Sequence, residues 1–451
     1  MTERISHQVV VIGGGNAGVS LAARLRRSGL TDIAIIEPAD THYYQPLWTL
    51  VGGGCVKASA SARPEASVMP QGVGWIKDRA CEIDPDKQTV STHGGVEVGY
   101  DHLVVCPGIQ LDWSAIPGMA ESLDTPRVSS NYRYDLAPKT WELIRKMRSG
   151  TAVFTMPSGP IKCAGAPQKI AYLAADYWRR QGALRNIRVV LVLTTPGMFG
   201  IKAFADELER VVERYGIDVR KNSEVTTVNP STRTVTITDN ASETTQEVGY
   251  DMLHVVPRQS APDWIKASSV SALDIPGGYV DVDKNTMRHN RFDNVFALGD
   301  VGSTPNSKTG AAIRKQAPVV AANLHDSLAG KPLSGSYGGY GSCPLTTARN
   351  KLLLAEFDYS MEPTPSIPLI DTTHERRDMW LLKRYGLPAT RSSCGRFRRT
   401  SIRSSSARVG LPEVDDAIAQ IGAWLRSKLG LAVLQDTAKR TTRRSHVRLV
   451  Q

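Results

Sequence analysis

The chain of 451 residues has no apolar run near the eighteen or so residues that a membrane-spanning helix needs. Its opening residues, MTERISHQ, carry no apolar stretch and lead directly into a strand pattern, so no secretory signal is expected. Cysteine is sparse. The six are widely spaced, with no C-x-x-C and no Cys/His cluster, which fits neither a disulfide scaffold nor a metal site. Such usage suits a reducing compartment, where any disulfide would be catalytic or redox-sensing. Excess positive charge is also scarce over most of the length. Residues 390–451 hold thirteen Lys and Arg against four Asp and Glu, so +9 of the net +11 falls there and +2 remains for the first 389 residues. No nucleic-acid partner is expected for a body of that charge. What is present, 41% hydrophobic and 22% charged residues, describes a soluble globular protein with room for two or three cored domains.

Residues 7–12 (HQVVVI) read as a buried strand, and Gly13-Gly14-Gly15-Asn16-Ala17-Gly18 then satisfies G-x-G-x-x-G. An Ala/Leu/Arg helical pattern follows to about Ser28, and a second apolar run ends at Glu37, twenty-four residues after Gly13. Gly13, Gly15 and Gly18 let a backbone approach a pyrophosphate whose charge the helix N-terminus attracts, and Glu37 is set to bond an adenosine ribose. Residues 100–108 (YDHLVVCPG) form a strand ending in a Pro-Gly turn at Gly108. Residues 294–300 (NVFALGD) form another, ending at Asp300 ahead of a helical pattern over 307–329. Taken alone, Asp300 also reads as a helix N-cap. The ordering resembles flavoproteins with two dinucleotide-binding domains, and that resemblance implies that Asp300 meets the ribityl chain of FAD.

An internal echo links residues 100–105 (YDHLVV) with 250–255 (YDMLHV). It predicts a second nucleotide-type domain, with strands over 151–156, 187–193, 234–238 and 253–256 and helices over 169–180 and 204–215. The expected fold is α/β: two Rossmann-like dinucleotide-binding-type domains with a C-terminal region. Residues 1–112 and 281–330 form the FAD-binding domain, 113–280 the second domain, 331–389 a C-terminal segment and 390–451 a basic, atypical tail. The second domain lacks the loop for a nicotinamide dinucleotide. Its first turn reads SGPIKCAGAP, and its 187–193 strand is followed by Thr-Thr-Pro-Gly rather than by an acid. Electrons are therefore expected to reach the flavin by another route, and Cys163 in that turn is placed to mediate it. A thiol ahead of a helix and beside Lys162 has its thiolate favoured; the alternative is a small buried residue in a tight turn. Further on, residues 344–357 read as a strand. Cys343 precedes Pro344 in what reads as a short loop, either a redox position or an inert one.

The match becomes specific in the longer motifs. The stretches YQPLWTLVG (44–52), GWIK (74–77), GIQLD (108–112), IKCAGAPQKI (161–170), SKT (307–309), SCPL (342–345) and AEFDY (355–359) resemble the sulfide:quinone oxidoreductases of mitochondria and many bacteria. With the N-terminal motifs they cover the chain to about Ala389. The resemblance implies that Cys163 and Cys343 form a redox pair, bridged directly or through an added sulfur. Hydrogen sulfide would attack that bridge to leave a persulfide and a thiolate. Two electrons would then pass through FAD to a quinone, ubiquinone or menaquinone, and the sulfane sulfur would leave on a small acceptor. Asn16, Ala17, Glu37, Gln45, Ala80 and Asp300 would contact FAD, with Lys308 near its isoalloxazine, where a cation favours an anionic reduced flavin. A cytoplasmic protein, peripheral on the inner face of a membrane, is the expectation. The alternatives are a type II NADH:quinone oxidoreductase-like flavoprotein, a sulfide dehydrogenase serving a haem subunit, or a quinone-incompetent relic carrying persulfide.

The resemblance stops near Ala389. There the sequence turns to TRSSCGRFRRTSIRSSSARVG, in which Arg and Ser supply twelve of twenty-one residues. Such a composition reads as disordered, and the abrupt switch suggests an altered reading frame. Beyond it Val414, Ile418, Ile421, Leu425 and Leu429 recur at helical spacing with Arg426 and Lys428 nearby. That amphipathic pattern suits either an anionic membrane surface or packing on the body.

Overall fold

The computed structural model describes residues 3–367 and 370–386. It divides into two units, Met1–Trp380 and Leu381–Gln451. Of the second, a π-helical turn at Leu382–Gly386 is described. The arginine-serine stretch and the amphipathic pattern of the tail lie outside the described residues. Among the described residues, no helix is long and apolar enough to cross a membrane.

The first sheet grows from the run that precedes the glycine motif. Strand Glu3–Ile12 pairs in parallel with Ile33–Ile36 on one side and with Val96–Val105 on the other. The latter takes Thr89–Thr92 antiparallel along its first half and Val295–Ala297 in parallel at its end. Successive side chains point to opposite faces of a strand. Val9 and Val11 therefore pack with Leu21, Leu25, Val320 and Leu324 of helices Asn16–Arg27 and Gly310–Leu328. Val10 and Ile12 join Ile36, Leu103, Val105 and Val280 on the other face. Cover on both faces is what lets a parallel strand be apolar at every position.

The second sheet repeats the plan. Its order is Val128–Ser129, Met252–His254, Gly150–Thr155, Ile187–Val192 and Asp218–Arg220, all parallel. The two echoing segments occupy equivalent places, each carrying the strand next to the first strand of its sheet. Helices Ala166–Arg180 and Lys202–Tyr215 cover one face together with a hairpin, Gly341–Ala348 and Lys351–Phe357. The other face is covered by a three-stranded antiparallel meander, Ser223–Asn229, Thr234–Asp239 and Thr245–Gly249.

One expectation gains detail and another needs correction. The 234–238 segment is a strand, as expected, and it is the middle strand of that meander. Its residues alternate, with Val235 and Ile237 buried between more exposed threonines, the pattern of a sheet with one wet face. Cys343 is not in a loop. It lies inside strand Gly341–Ala348, paired with Ala355, and residues 344–357 are two strands joined by a turn rather than one.

Candidate active site

The turn after strand Gly150–Thr155 is built to hold a sulfur. Gly159 has φ +85° and Cys163 has φ +87°, a left-handed conformation that costs a non-glycine residue about 1–3 kcal/mol. The Ala166 N–H closes the turn on the Cys163 carbonyl at 2.5 Å, and Pro167 follows in the first turn of helix Ala166–Arg180. Gly165 has ordinary helical dihedrals, so here glycine is required for space. A Cβ on it would lie 2.0 Å from Leu345 Cδ2 and 3.1 Å from Cys343 Sγ. That clearance lets the hairpin settle on the helix start and brings Cys163 Sγ and Cys343 Sγ to 2.6 Å. Two residues separated by 180 positions are thereby brought within reach of a bond.

The charge next to this pair is not the one that sequence adjacency suggests. Lys162 turns away, donating to Gln45 Oε1 at 2.6 Å and lying over the rings of Trp48 and Tyr132. The ammonium that meets the sulfur is Lys169, buried on the first turns of the helix and donating to Cys163 Sγ at 3.3 Å. Burial works against its charge, but the two neighbouring sulfurs outweigh burial and its pKa sits above the ordinary lysine value. Cys343 is fully buried, and burial, followed by the bond and charge of Cys163, pushes its thiol well above the usual range despite Lys169. Nothing in the sequence announced Lys169, since its role depends on where the hairpin lands. Tyr132 and Gln259 were also missed. Gln259 Oε1 accepts from the Lys162 N–H at 2.9 Å, and Tyr132 is buried close enough to Cys163 and Cys343 to feel their charge.

The glycine motif forms a tight cradle. Gly13 has φ +103°, and a Cβ there would lie 2.5 Å from the Cys106 carbonyl oxygen. A Cβ on Gly18 would lie 1.9 Å from the Gly13 carbonyl, so only glycine lets the helix start press on the turn. Gly15 differs: a Cβ there meets nothing within 4 Å, and Gly15 caps the helix without a side-chain bond. The twelve-residue helix thus starts beside open space at Gly15, a geometry that a pyrophosphate fits. Glu37 is fixed by the Gly14 and Ala39 N–H groups, each at 2.7 Å. Asn16 Oδ1 lies 3.2 Å from His42 Nε2. Ala80 is buried in the core with Ile36, and Gly108 has φ +80° and open space around its α-carbon.

Two further loops join the cradle to the sulfurs. Gly299, at φ +79°, comes so close to Ala17 that a Cβ would lie 3.2 Å from the alanine methyl, which sets Asp300 beside the helix start. Burial raises the Asp300 carboxyl, opposed by the charges of Lys308 and Lys162. Those lysines pair across a parallel bridge. Burial brings each of them down to about 8, opposed by Asp300. Lys308 Nζ donates to the Gly302 carbonyl at 2.8 Å and sits 4.0 Å over the Tyr279 ring. A glycine cradle at a helix start, a fixed acid at the end of the second strand, and a carboxylate and two lysines leading to a sulfur pair are a donor set that fits a flavin dinucleotide.

The family model described as pyridine nucleotide-disulphide oxidoreductase matches residues 7–315. The chain is 39% identical over 390 residues to the mitochondrial sulfide:quinone oxidoreductase of Mus musculus, covering 86% of each chain. To the enzyme of the same name from Dictyostelium discoideum it is 40% identical over 385 residues, covering 84% of each. In fold it is similar to the solved sulfide:quinone oxidoreductase of Aquifex aeolicus, with a TM-score of 0.68 at 21% identity, over 79% of this chain and 85% of that one.

Proposed function

The chain belongs to the sulfide:quinone oxidoreductase family of flavoproteins, and from that membership we propose that it oxidises hydrogen sulfide to sulfane sulfur through Cys163 and Cys343. The observation that carries this reading is the approach of the two sulfurs to 2.6 Å, with Lys169 on one of them. Hydrosulfide attacks the oxidised pair, one S–S bond breaks, and the incoming sulfur remains as a persulfide. Lys169 favours the negative charge on Cys163, and burial disfavours it on Cys343. Cys163 is therefore the leaving thiolate, and Cys343 carries the added sulfur. FAD, when bound, would supply the acceptor for the two electrons that sulfide loses, with a membrane quinone, ubiquinone or menaquinone, as the final oxidant. A small acceptor removes the sulfane sulfur. Residues 1–112 and 281–330 hold the cofactor, with Gly13, Gly15, Gly18, Asn16 and Ala17 at the pyrophosphate and Glu37 at the adenosine ribose. Ala80 and Gly108 line the dinucleotide, and Gln45, Asp300 and Lys308 lie toward the flavin end. The protein works at the surface of a membrane.

The filling of the second domain's turn by Cys163 and Leu345 argues against a nicotinamide at that position. The test is anaerobic addition of sulfide, then of a soluble quinone, to the purified full chain. Bleaching of the flavin by sulfide and not by NADH, with recovery on adding quinone, is the expected result. C163S and C343S abolish the bleaching. Bleaching by NADH alone refutes the reading.

A further inference from the structure

Strand Ala62–Pro64 pairs antiparallel with Thr41–Tyr43 and delivers Glu65, whose N–H bonds the Asp40 carbonyl at 2.8 Å, to the mouth of the glycine turn. Glu65 is 2% exposed and His42 is 5% exposed. A carboxylate so deeply buried needs partners for both of its oxygens. Oε2 has one, in His42 Nδ1 at 3.3 Å, and the far side of that ring reaches Asn16. Oε1 is buried and has no hydrogen-bond partner among the described residues. It lies 3.1 Å from the point where a Cβ on Gly14 would stand, and the Glu37 side chain lies 2.6 Å from that same point. The Glu65 carboxylate and the Glu37 side chain thus flank one glycine on the same side, and the Glu37 carboxylate reaches the N–H of that glycine, in the cradle already assigned to a dinucleotide. Glu37 is held rigid there by two backbone N–H groups, and His42 holds Glu65 by its other oxygen.

A vicinal diol presents two adjacent O–H donors, which is what a pair of acids can take. We propose that Glu65 is a second ribose acid, its Oε1 accepting one hydroxyl of the adenosine ribose of FAD while Glu37 accepts the other. The inference rests on the FAD reading above. The missing bond to Oε1 is then supplied by the ligand, and His42 and Asn16 are positioning residues that aim the carboxylate.

The test compares FAD with its 2′-deoxyadenosine and 3′-deoxyadenosine analogues on the full chain stripped of flavin, following binding by quenching of flavin fluorescence. In the wild type, loss of either hydroxyl weakens binding about tenfold or more, the weight of one hydrogen bond to a charged group. In Glu65→Met, FAD itself binds about tenfold more weakly. Removal of one hydroxyl then changes affinity less than about twofold, whereas removal of the other still weakens it about tenfold. Should Glu65→Met fail to fold, Glu65→Gln keeps the shape and an acceptor oxygen, and the effect of the same hydroxyl shrinks severalfold. Both hydroxyls mattering as much in the variant as in the wild type overturns the proposal and leaves the FAD reading standing. A wild-type chain that binds no FAD overturns both.

Discussion

Lys169 sets the charge balance at the sulfur pair, because it is buried with them and donates to Cys163 Sγ. Replacing it with methionine keeps the volume and removes a charge-assisted bond of about 1.5–3 kcal/mol. After reduction, alkylation of Cys163 by iodoacetamide at pH 7 is expected to slow about tenfold in K169M, with K169R intermediate. An unchanged rate means that the thiolate is held by something else. A second residue-scale consequence concerns acid. His254 accepts the Asn131 N–H on Nε2 at 2.9 Å, so its proton is on Nδ1, and burial brings its pKa down to about 3. The unfolded chain takes up this proton near the ordinary value of about 6.5, while the folded chain resists it. Between those values the unfolded state binds more protons, so stability falls as pH falls, by about 1.4 kcal/mol per pH unit. Urea denaturation is expected to show about 2 kcal/mol lost to this residue between pH 6.5 and pH 5, and H254Q loses that part of the slope. The same slope in H254Q refutes the assignment.

Between elements, the decisive contact is the hairpin Gly341–Ala348/Lys351–Phe357 on the start of helix Ala166–Arg180. A methyl at Gly165 collides with Leu345 and crowds Cys343, so G165A lifts the hairpin and is expected to cost about 1–3 kcal/mol of stability. With the sulfurs parted, thiol titration of the native oxidised variant gains two reactive groups over the wild type. Trimming the obstructing side chain in G165A/L345A restores the pairing, and a double variant no better than G165A defeats this account. The same contact explains what could be read in advance. The glycine motif and Glu37 were legible because strand, turn, helix and acid lie within one local unit, and the echo at 100–105 and 250–255 was legible because each copy builds the same place in a sheet. Lys169 was not, because which lysine meets a thiol depends on the direction of an irregular turn. Lys162, although adjacent to Cys163, is sent toward Gln45. Cys343 gave no strand signal because Pro344 follows it, yet that position opposes Leu354 in a two-stranded hairpin, where a residue that lacks an N–H is tolerated.

At the scale of the whole molecule, charge is divided unequally: residues 390–451 hold +9 of the net +11. A quinone partner lives in a membrane, and among the described residues no helix is long and apolar enough to cross one. Attraction to an anionic bilayer is worth about 1 kcal/mol for each Lys or Arg near the surface and fades within a Debye length of about 10 Å at 0.1 M salt. A segment with so concentrated a charge is therefore the part of the chain that an anionic surface attracts, whereas a body of +2 gains little. The full chain is expected to sediment with vesicles containing phosphatidylserine at low ionic strength and to be released by 0.5 M salt, and a chain ending at Ala389 to remain in the supernatant under both conditions. Reduction of the flavin by sulfide, which we assign to the sulfur pair, is expected to be unaffected by the truncation. Reoxidation by a lipid-embedded quinone slows severalfold, while reoxidation by a short-chain soluble quinone does not. If the shortened chain still sediments at high salt, the body itself offers the membrane an apolar contact, and the charge of the tail is incidental to docking.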